Sequence, residues 1–224
     1  MGNMSTTVVI FDTEISPAEV PYLRGCIIRL ADGNQLSHNH RGTGYNYTYP
    51  LVQYKRLSRH AAVVGINEGA EMLAQLMKEG DSFDVQLGNR PATMTVISVR
   101  NDSFTLSCGA EHIYTIDRWI PLNEANYATF LHMPGVMERM EMLERILIGN
   151  ILSFAKSMEV FFDKQVKCRI LQLEEKEMTT YKNVEFMTFS AIFACNVTLP
   201  DYIGLGKSAS IGRGTIRQHN NRQL

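Results

Sequence analysis

The chain has 224 residues, of which 45% are hydrophobic and 20% are charged, and its formal net charge at pH 7 is −1. This composition excludes a disordered chain and predicts a globular protein with one large domain or two small ones. Its apolar runs are far shorter than the roughly 20 residues that cross a bilayer, and its first residues lack an export signal. We therefore expect a cytoplasmic protein without a membrane segment.

The first 88 residues predict a ferredoxin-like order of elements: strand, helix, strand, strand, helix, strand. Ser16 and Glu19 have the spacing of a capping box before the first helix. The predicted elements are a strand at 6–12, a helix that ends before residue 33, strands at 49–57 and 61–66, a helix between Asn67 and Gly80, and a strand at 82–87. RNA-recognition folds share this order.

Two further segments, 93–99 and 103–108, alternate around Asn101-Asp102, which predicts a hairpin, and another strand follows at 112–116. We assign residues 89–120 to this strand insertion. The remaining residues, 121–224, predict an incomplete second ferredoxin-like domain. Its longest predicted helix is 136–161, with a methionine-rich face that suits core packing, followed by strands at 166–173 and 184–197.

The predicted fold class is therefore α+β, with tandem ferredoxin-like (RRM-like) domains, the second incomplete, and a C-terminal glycine-rich loop. Four cysteines are scattered without a Cys-x-x-Cys pair, which indicates buried thiols in a reducing compartment. They are Cys26, Cys108, Cys168 and Cys195.

The charges of the chain are unevenly distributed. Residues 33–67 and 202–224 contain eight Lys or Arg and no Asp or Glu, so the other 14 Lys or Arg share the rest of the chain with all 23 Asp or Glu. We interpret the two acid-free segments as parts of one anion-binding face. Solvated loops that simply lack acids are the alternative.

The first acid-free segment contains the densest group of reactive side chains, in the sequence LSHNHRGTGYNYTYPLVQYK at 36–55. Histidine titrates near neutral pH and can donate or accept a proton. The pair His38 and His40 could also bind zinc, but no nearby Cys or carboxylate completes a tetrahedral set. We expect no metal and no cofactor.

The second acid-free segment contains the glycine-rich sequence YIGLGKSASIGRGTI. It lacks the glycine that a P-loop requires before its Gly-Lys pair, and too few residues follow it for a dinucleotide-binding unit. Its glycines allow backbone amides to approach phosphate closely, while its two cations, expected in solvent, supply charge. These residues are Gly204, Gly206, Lys207, Gly212, Arg213 and Gly214. A mobile tail is the alternative.

At these motifs the chain resembles a known family. The spacing GxGxxxxxGxG near the C-terminus is similar to that of the RAMP superfamily of CRISPR-associated proteins, and HNH followed by YPLVQYK and VVGINEGAEML resembles the repeat-specific endoribonucleases that cut precursor CRISPR RNA. The resemblance implies binding of CRISPR repeat RNA, metal-independent cleavage, and retention of the guide RNA for an interference complex with other subunits. A monomer and a homodimer both remain open.

Cleavage of RNA without a metal requires a proton acceptor and a proton donor around the attacking 2′-hydroxyl. The resemblance favours His40 for proton transfer, with His38 as second choice. Tyr47 or Tyr49 could orient the 2′-hydroxyl, and Lys55 could stabilise charge on the pentacoordinate phosphate. For the tyrosines, strand packing is the alternative.

We expect Arg41 and the residues of the glycine-rich segment to bind RNA. A second class of function stays open, in which the chain is an RNA-binding subunit that performs no chemistry.

Overall fold

A computed structural model describes residues 2–31, 49–181 and 184–219. These residues form a mixed α+β protein with two antiparallel sheets, which confirms the predicted α+β class with two ferredoxin-like domains. The chain divides into two compact units. The first contains residues 3–104 and 210–212, and the second contains residues 1–2, 105–209 and 213–224. Within the described ranges, no helix is both long and apolar enough to span a membrane.

The first unit contains a sheet that, among the described residues, has five strands in the order β2-β3-β1-β5-β4. Its elements are β1 (Gly2–Glu14), α1 (Val20–Leu30), β2 (Val52–Leu57), β3 (His60–Ile66), α2 (Glu68–Leu76), β4 (Ser82–Leu87) and β5 (Arg90–Leu106). The predicted order of the first six elements is confirmed. The capping box also forms, because the Ser16 backbone N–H donates to Glu19 Oε2 at 2.8 Å.

Alternation along the strands places one face of this sheet in the core. On β1, Val9 and Phe11 are fully buried, and they belong to the same apolar cluster as Leu23 and Ile27 of α1. On β2, Tyr54 belongs to this cluster too. The core of the first unit therefore contains one sheet face and the apolar side of α1.

The predicted hairpin at Asn101-Asp102 is wrong. Strand β5 continues through both residues as far as Leu106. The polar side chains at the expected turn have partners, since the Thr7 hydroxyl donates to Asn101 Oδ1 at 2.7 Å and Arg100 pairs with Asp102 at 2.7 Å. These contacts satisfy the groups that otherwise favour a turn. The strands of the predicted insertion thus enter different sheets, β5 in the first unit and β6 in the second.

The second unit has a sheet of four strands, counted over the described residues, in the order β7-β8-β6-β9. Its elements are β6 (Cys108–Trp119), α3 (Glu124–His132), α4 (Val136–Ser157), β7 (Cys168–Tyr181), β8 (Val184–Val197) and β9 (Thr215–Gln218). The short strand β9 was not predicted. It pairs antiparallel with β6, with Asp117 opposite Thr215.

Both units repeat one strand arrangement, β2-β3-β1 in the first and β7-β8-β6 in the second. In each unit, the initial strand is followed by helical residues and then by a β-hairpin. The second strand of that hairpin lies beside the initial strand. Between β8 and β9, the chain has a glycine-rich segment with one short 3₁₀ turn, Ala209–Ile211, whereas the corresponding connection between β3 and β4 contains a helix. The second ferredoxin-like domain is therefore incomplete at this crossover.

Helix α4 presents an apolar face to the core of the second unit, as its periodicity predicts. The buried residues on this face include Leu143, Leu147 and Ile151. Met142 and Phe154 are also buried, whereas Met140, which the sequence placed in the same stripe, is only half-buried.

Two glycines of the segment before β9 lie against the rest of the second unit. A Cβ built at Gly206 would lie 2.9 Å from Asn150 Oδ1 and 3.0 Å from Trp119 Nε1, two atoms that form a hydrogen bond of 2.9 Å. A Cβ at Gly214 would overlap the carbonyl oxygen of Leu205. Both glycines have a positive φ, +81° and +60°, which adds strain for any other residue.

We predict that Gly214→Ala lowers the free energy of unfolding by about 2 kcal/mol or more, because it combines a positive φ with a backbone overlap. The matched control is Gly149→Ala, in the middle of α4, where a Cβ would meet nothing within 4 Å. It should raise the free energy by about 1 kcal/mol, since alanine favours helix. Urea denaturation of both variants measures the difference, and equal stability of Gly214→Ala and wild type would contradict the close packing of Gly214 against Leu205.

Candidate nucleic-acid interface

Four of the predicted site residues lie outside the described residues. They are His38, His40, Arg41 and Tyr47. Their predicted roles in proton transfer, orientation of the 2′-hydroxyl and RNA binding stay predictions.

Tyr49 and Lys55 are the predicted catalytic residues within the described part of the chain. Tyr49 is half-buried and lies three positions before the first residue of β2. Lys55 lies within β2 and is completely buried, with 0% of its surface exposed. A direct contact between Lys55 and an RNA phosphate therefore requires RNA to reach a position that is closed to solvent in the free protein.

The position of Lys55 follows from the alternation of β2. Val52 and Tyr54 belong to the core of the first unit, so the intervening Gln53 and the following Lys55 lie on the opposite face. Lys55 is opposite Ala62 of β3 in the register, and Gln53 is also fully buried. The side-chain amide of Gln53 donates to the Pro50 carbonyl at 3.1 Å.

Burial changes the acidity of two neighbouring groups in β2. Desolvation lowers the pKa of Lys55 from its ordinary value of 10.5 to about 7. Desolvation raises the pKa of Tyr54 above its ordinary value, and Arg24 acts in the opposite direction. Lys55 is thus the group in β2 whose two protonation states are both populated near neutral pH.

Residues 210–212 of the glycine-rich segment belong to the first unit. Ile211 packs against its core, and a Cβ built at Gly212 would lie 3.5 Å from the carbonyl oxygen of Tyr54. The fold therefore brings Gly212 beside β2, the strand that contains Lys55.

The other glycines of this segment belong to the second unit. Gly204 is buried and forms an isolated bridge with Thr215. The N–H of Gly214 donates to the carbonyl oxygen of Arg118 at 3.2 Å, and Leu205 N–H donates to Gly214 at 2.8 Å. The predicted approach of glycine amides to phosphate stays a prediction, but the amide of Gly214 already has a partner within the protein.

The two cations of the segment differ in exposure. Lys207 is exposed, as expected, and its ammonium lies 3.8 Å from the centroid of the Phe186 ring. Arg213 is half-buried, contrary to the expectation that it lies in solvent. Burial and the charge of Arg118 lower the pKa of Arg213 to about 10, and Asp117 acts in the opposite direction. Arg213 remains a cation at neutral pH.

Arg118 is a candidate site residue that sequence reasoning missed. It lies near the end of β6 in the unremarkable sequence IDRW, and it was assigned to no motif. What distinguishes it is a backbone angle, φ +52°, together with its position beside Gly214. Neither property leaves a signal in one sequence.

The described ranges 2–31, 49–181 and 184–219 contain no group of three His, Cys, Asp or Glu residues that could hold a metal ion. All four cysteines are free thiols; Cys26 and Cys195 are buried, whereas Cys108 and Cys168 are half-buried. Cys168 lies opposite Cys195 in the register, and their contact, together with burial, raises the pKa of the Cys168 thiol.

Two family models together match nearly the whole chain. Residues 2–105 match the family model of the Cas6b N-terminal domain, and residues 108–219 match that of the Cas6b C-terminal domain. These ranges divide the chain close to the boundary between the two compact units at residues 104 and 105.

Individual proteins are similar to this chain as well. A crystal structure of Cas6b has a TM-score of 0.87 and 25% identity, over 97% of this chain and 100% of that one. A crystal structure of a CRISPR RNA processing endoribonuclease Cas6b has a TM-score of 0.73 and 22% identity over the same shares. An uncharacterized protein of Methanocaldococcus jannaschii is 35% identical over 101 residues, which are 45% of this chain and 67% of that protein. The chain belongs to the Cas6b family.

Proposed function

We propose that this chain is an endoribonuclease that cuts CRISPR repeat RNA to release guide RNAs. The 2′-hydroxyl attacks the adjacent phosphate, the 5′-oxygen leaves, and one product ends in a 2′,3′-cyclic phosphate. The reaction uses protein side chains for proton transfer and no metal ion.

The observation that supports this proposal most strongly is the match of both Cas6b family models along nearly the whole chain, residues 2–105 and 108–219. One of the similar structures is named a CRISPR RNA processing endoribonuclease. The chain also contains paired histidines in an acid-free segment, and histidine can act as the proton acceptor or donor that this chemistry requires.

In the proposed mechanism, His40 transfers a proton, and His38 is the second choice for this role. The assignment rests on the residue type and on the resemblance of the HNH sequence to the family. Tyr47 or Tyr49 orients the 2′-hydroxyl, because a phenol near its ordinary acidity is a poor base but a good hydrogen-bond partner.

Lys55 has two roles open to it in this reaction. As an ammonium it stabilises the charge that develops on the phosphate oxygens. With a pKa of about 7, it can also release or accept a proton near neutral pH, which a lysine in water cannot do. Its position on β2, beside Gly212 of the glycine-rich segment, supports a role near bound RNA.

Binding of the RNA backbone falls to the cations of the acid-free segments. We assign this role to Arg41, Lys207 and Arg213, with Gly204, Gly206, Gly212 and Gly214 shaping the backbone around them. A non-catalytic RNA-binding subunit of a ribonucleoprotein complex is the alternative, and the first experiment below separates the two.

We expect the purified protein to cut CRISPR repeat RNA in excess EDTA and to leave a 2′,3′-cyclic phosphate, because the nucleophile is the RNA's own 2′-hydroxyl. Denaturing gels and mass spectrometry of the product ends measure this. Repeat RNA with 2′-deoxy sugars is the control and should bind without being cut. Cleavage that stops in EDTA and returns with a divalent ion would contradict the mechanism. If the protein binds repeat RNA but cuts it neither with nor without a divalent ion, the result would favour the non-catalytic subunit.

We predict that His40→Ala slows single-turnover cleavage by a factor on the order of 10² to 10⁴, the usual contribution of a general acid or base, with little change in RNA affinity. The matched control is His132→Ala, an exposed histidine whose Nδ1 lies 2.7 Å from the Ala128 carbonyl of its own helix. His38→Ala tests the second choice. If His38→Ala abolishes cleavage and His40→Ala cuts normally, the two assignments are reversed.

The burial of Lys55 predicts how stability depends on pH. Because its pKa is about 7 in the folded protein and near 10.5 in the unfolded chain, the unfolded chain binds more protons between these values, and stability rises with pH across this window. The cost of burying the ammonium is fully present below pH 7. Lys55→Met should therefore stabilise the protein most below pH 7, and the gain should shrink as the pH rises toward 10.

Denaturant titrations between pH 6 and pH 10 measure this effect. The matched control is Lys78→Met, which removes an exposed lysine from the first unit and should change stability by a small amount at every pH. A gain from Lys55→Met that stays constant over this range would mean that Lys55 keeps its ordinary pKa.

A further inference from the structure

Arg118 lies at an irregularity in the sheet of the second unit. Ile116 is opposite Ala191 and Trp119 is opposite Phe189, so two residues of β6 face the single residue Ser190 of β8. This is a β-bulge, a feature that redirects side chains and is common beside functional sites. Arg118 itself has φ +52°, a conformation that a long side chain rarely adopts without a compensating role.

The bulge places Arg118 beside the chain that enters β9. Asp117 is opposite Thr215 in the ladder between β6 and β9, and the Arg118 carbonyl accepts the N–H of Gly214 at 3.2 Å. Arg213 directly precedes this contact. The two arginines are therefore neighbours in space although 95 positions separate them in the sequence.

Their charges act on each other. Arg118 disfavours the charge of the half-buried Arg213, while Asp117 favours it. Asp117 itself accepts a hydrogen bond from the Ser190 hydroxyl at 2.8 Å. Arg213 and Arg118 are two cations and Asp117 is one anion, so these three groups together carry a net positive charge.

A partly buried pair of like charges is unfavourable in the free protein and becomes favourable when an anion binds between them. Guanidinium groups suit a phosphate because their N–H donors match its oxygens in a bidentate geometry. The exposed Lys207 lies two residues beyond Leu205, whose N–H donates to Gly214, so further positive charge is close by. A polyanion with successive phosphates fits this arrangement better than a single small anion.

We propose that Arg118 and Arg213 together bind one phosphate of the RNA backbone, which makes Arg118 an RNA-binding residue of the second unit. This inference rests on the proposed function for the identity of the polyanion. It adds the strand β6 to an RNA-binding surface that the sequence confined to the glycine-rich segment and the histidine stretch.

The experiment measures affinity against salt concentration, with labelled repeat RNA in which 2′-fluoro groups replace the 2′-hydroxyls, so that binding is separated from cleavage. The variants are Arg118→Asn, Arg213→Gln and the double substitution, and asparagine is chosen because it tolerates a positive φ. Each single change should weaken binding roughly 10- to 100-fold, the usual range for a hydrogen bond to a charged group.

The salt dependence tests whether one phosphate is shared. Each neutralised phosphate of a single strand contributes about −0.7 to the slope of log affinity against log salt. Either single substitution should change the slope little, because the remaining arginine still neutralises the phosphate, whereas the double substitution should make the slope shallower by about 0.7. Slopes that change additively would show two separate phosphates, and would overturn the shared site.

Two controls separate this site from a structural ion network. Arg145→Ala removes an exposed arginine from α4 in the same unit and should leave affinity and slope close to wild type. Arg118→Lys keeps the charge but loses the bidentate donors, so it should keep the slope while weakening affinity. If Arg118→Asn lowers the melting temperature but both Arg118 variants bind RNA like wild type, Arg118 is a structural residue and the inference is wrong.

Failure of this inference is distinguishable from failure of the proposed function. A protein that cuts repeat RNA but binds it equally well without Arg118 retains the proposed function and loses the inference. A protein that cuts no repeat RNA but binds the probe through Arg118 and Arg213 supports the inference and contradicts the proposed function. A wild-type protein that binds no RNA overturns both.

Discussion

The pairing of β9 with β6 is the interaction on which the candidate site of the second unit depends. Strand β9 has only four residues, yet its ladder with β6 fixes the chain from Asp117 opposite Thr215 through Tyr114 opposite Gln218. This ladder brings Gly214 against the carbonyl groups of Leu205 and Arg118. Because a side chain at Gly214 would overlap Leu205, the close return of the chain is possible only with glycine.

A second constraint acts within the first unit, where β2 has both faces buried. A strand that is buried on both faces normally contains apolar residues throughout. Here the face opposite the core contains Gln53 and Lys55, and neither is exposed. Burying an ammonium opposes folding and lowers its pKa, so the position is costly for stability. Perturbed groups of this kind concentrate at functional sites, which supports the proposed role of Lys55.

Much of the fold could be predicted from the sequence, because long elements have a strong period. Helix α4 and strand β8 begin at the expected residues, since Val136 and Val184 open long runs of consistent pattern. The hairpin in β5 was mispredicted because local turn signals at Asn101 are outweighed by a hydrogen bond from Thr7, which is 94 positions away. Strand β9 was missed because four residues are too few to establish a period.

The candidate site could be predicted only in part. Residue types identified the histidines, tyrosines and cations, since their chemistry is carried by the side chain alone. The burial of Lys55 and the half-buried state of Arg213 depend on packing that no local pattern encodes. Arg118 depends on a bulge in β6, and a bulge arises from the pairing of two strands rather than from either strand's sequence.

The structure around the glycines of the C-terminal segment indicates a packing role for two of them. The sequence indicates that they allow backbone amides to approach phosphate, but Gly206 lies against the Trp119–Asn150 hydrogen bond, and the amide of Gly214 already donates to Arg118. Glycine is thus required at both positions for contacts within the protein. If RNA binds to this segment, the cationic side chains supply an attraction that the amide of Gly214 does not. The glycines then determine where Arg118, Arg213 and Lys207 stand, and the arginines determine how tightly a phosphate is held.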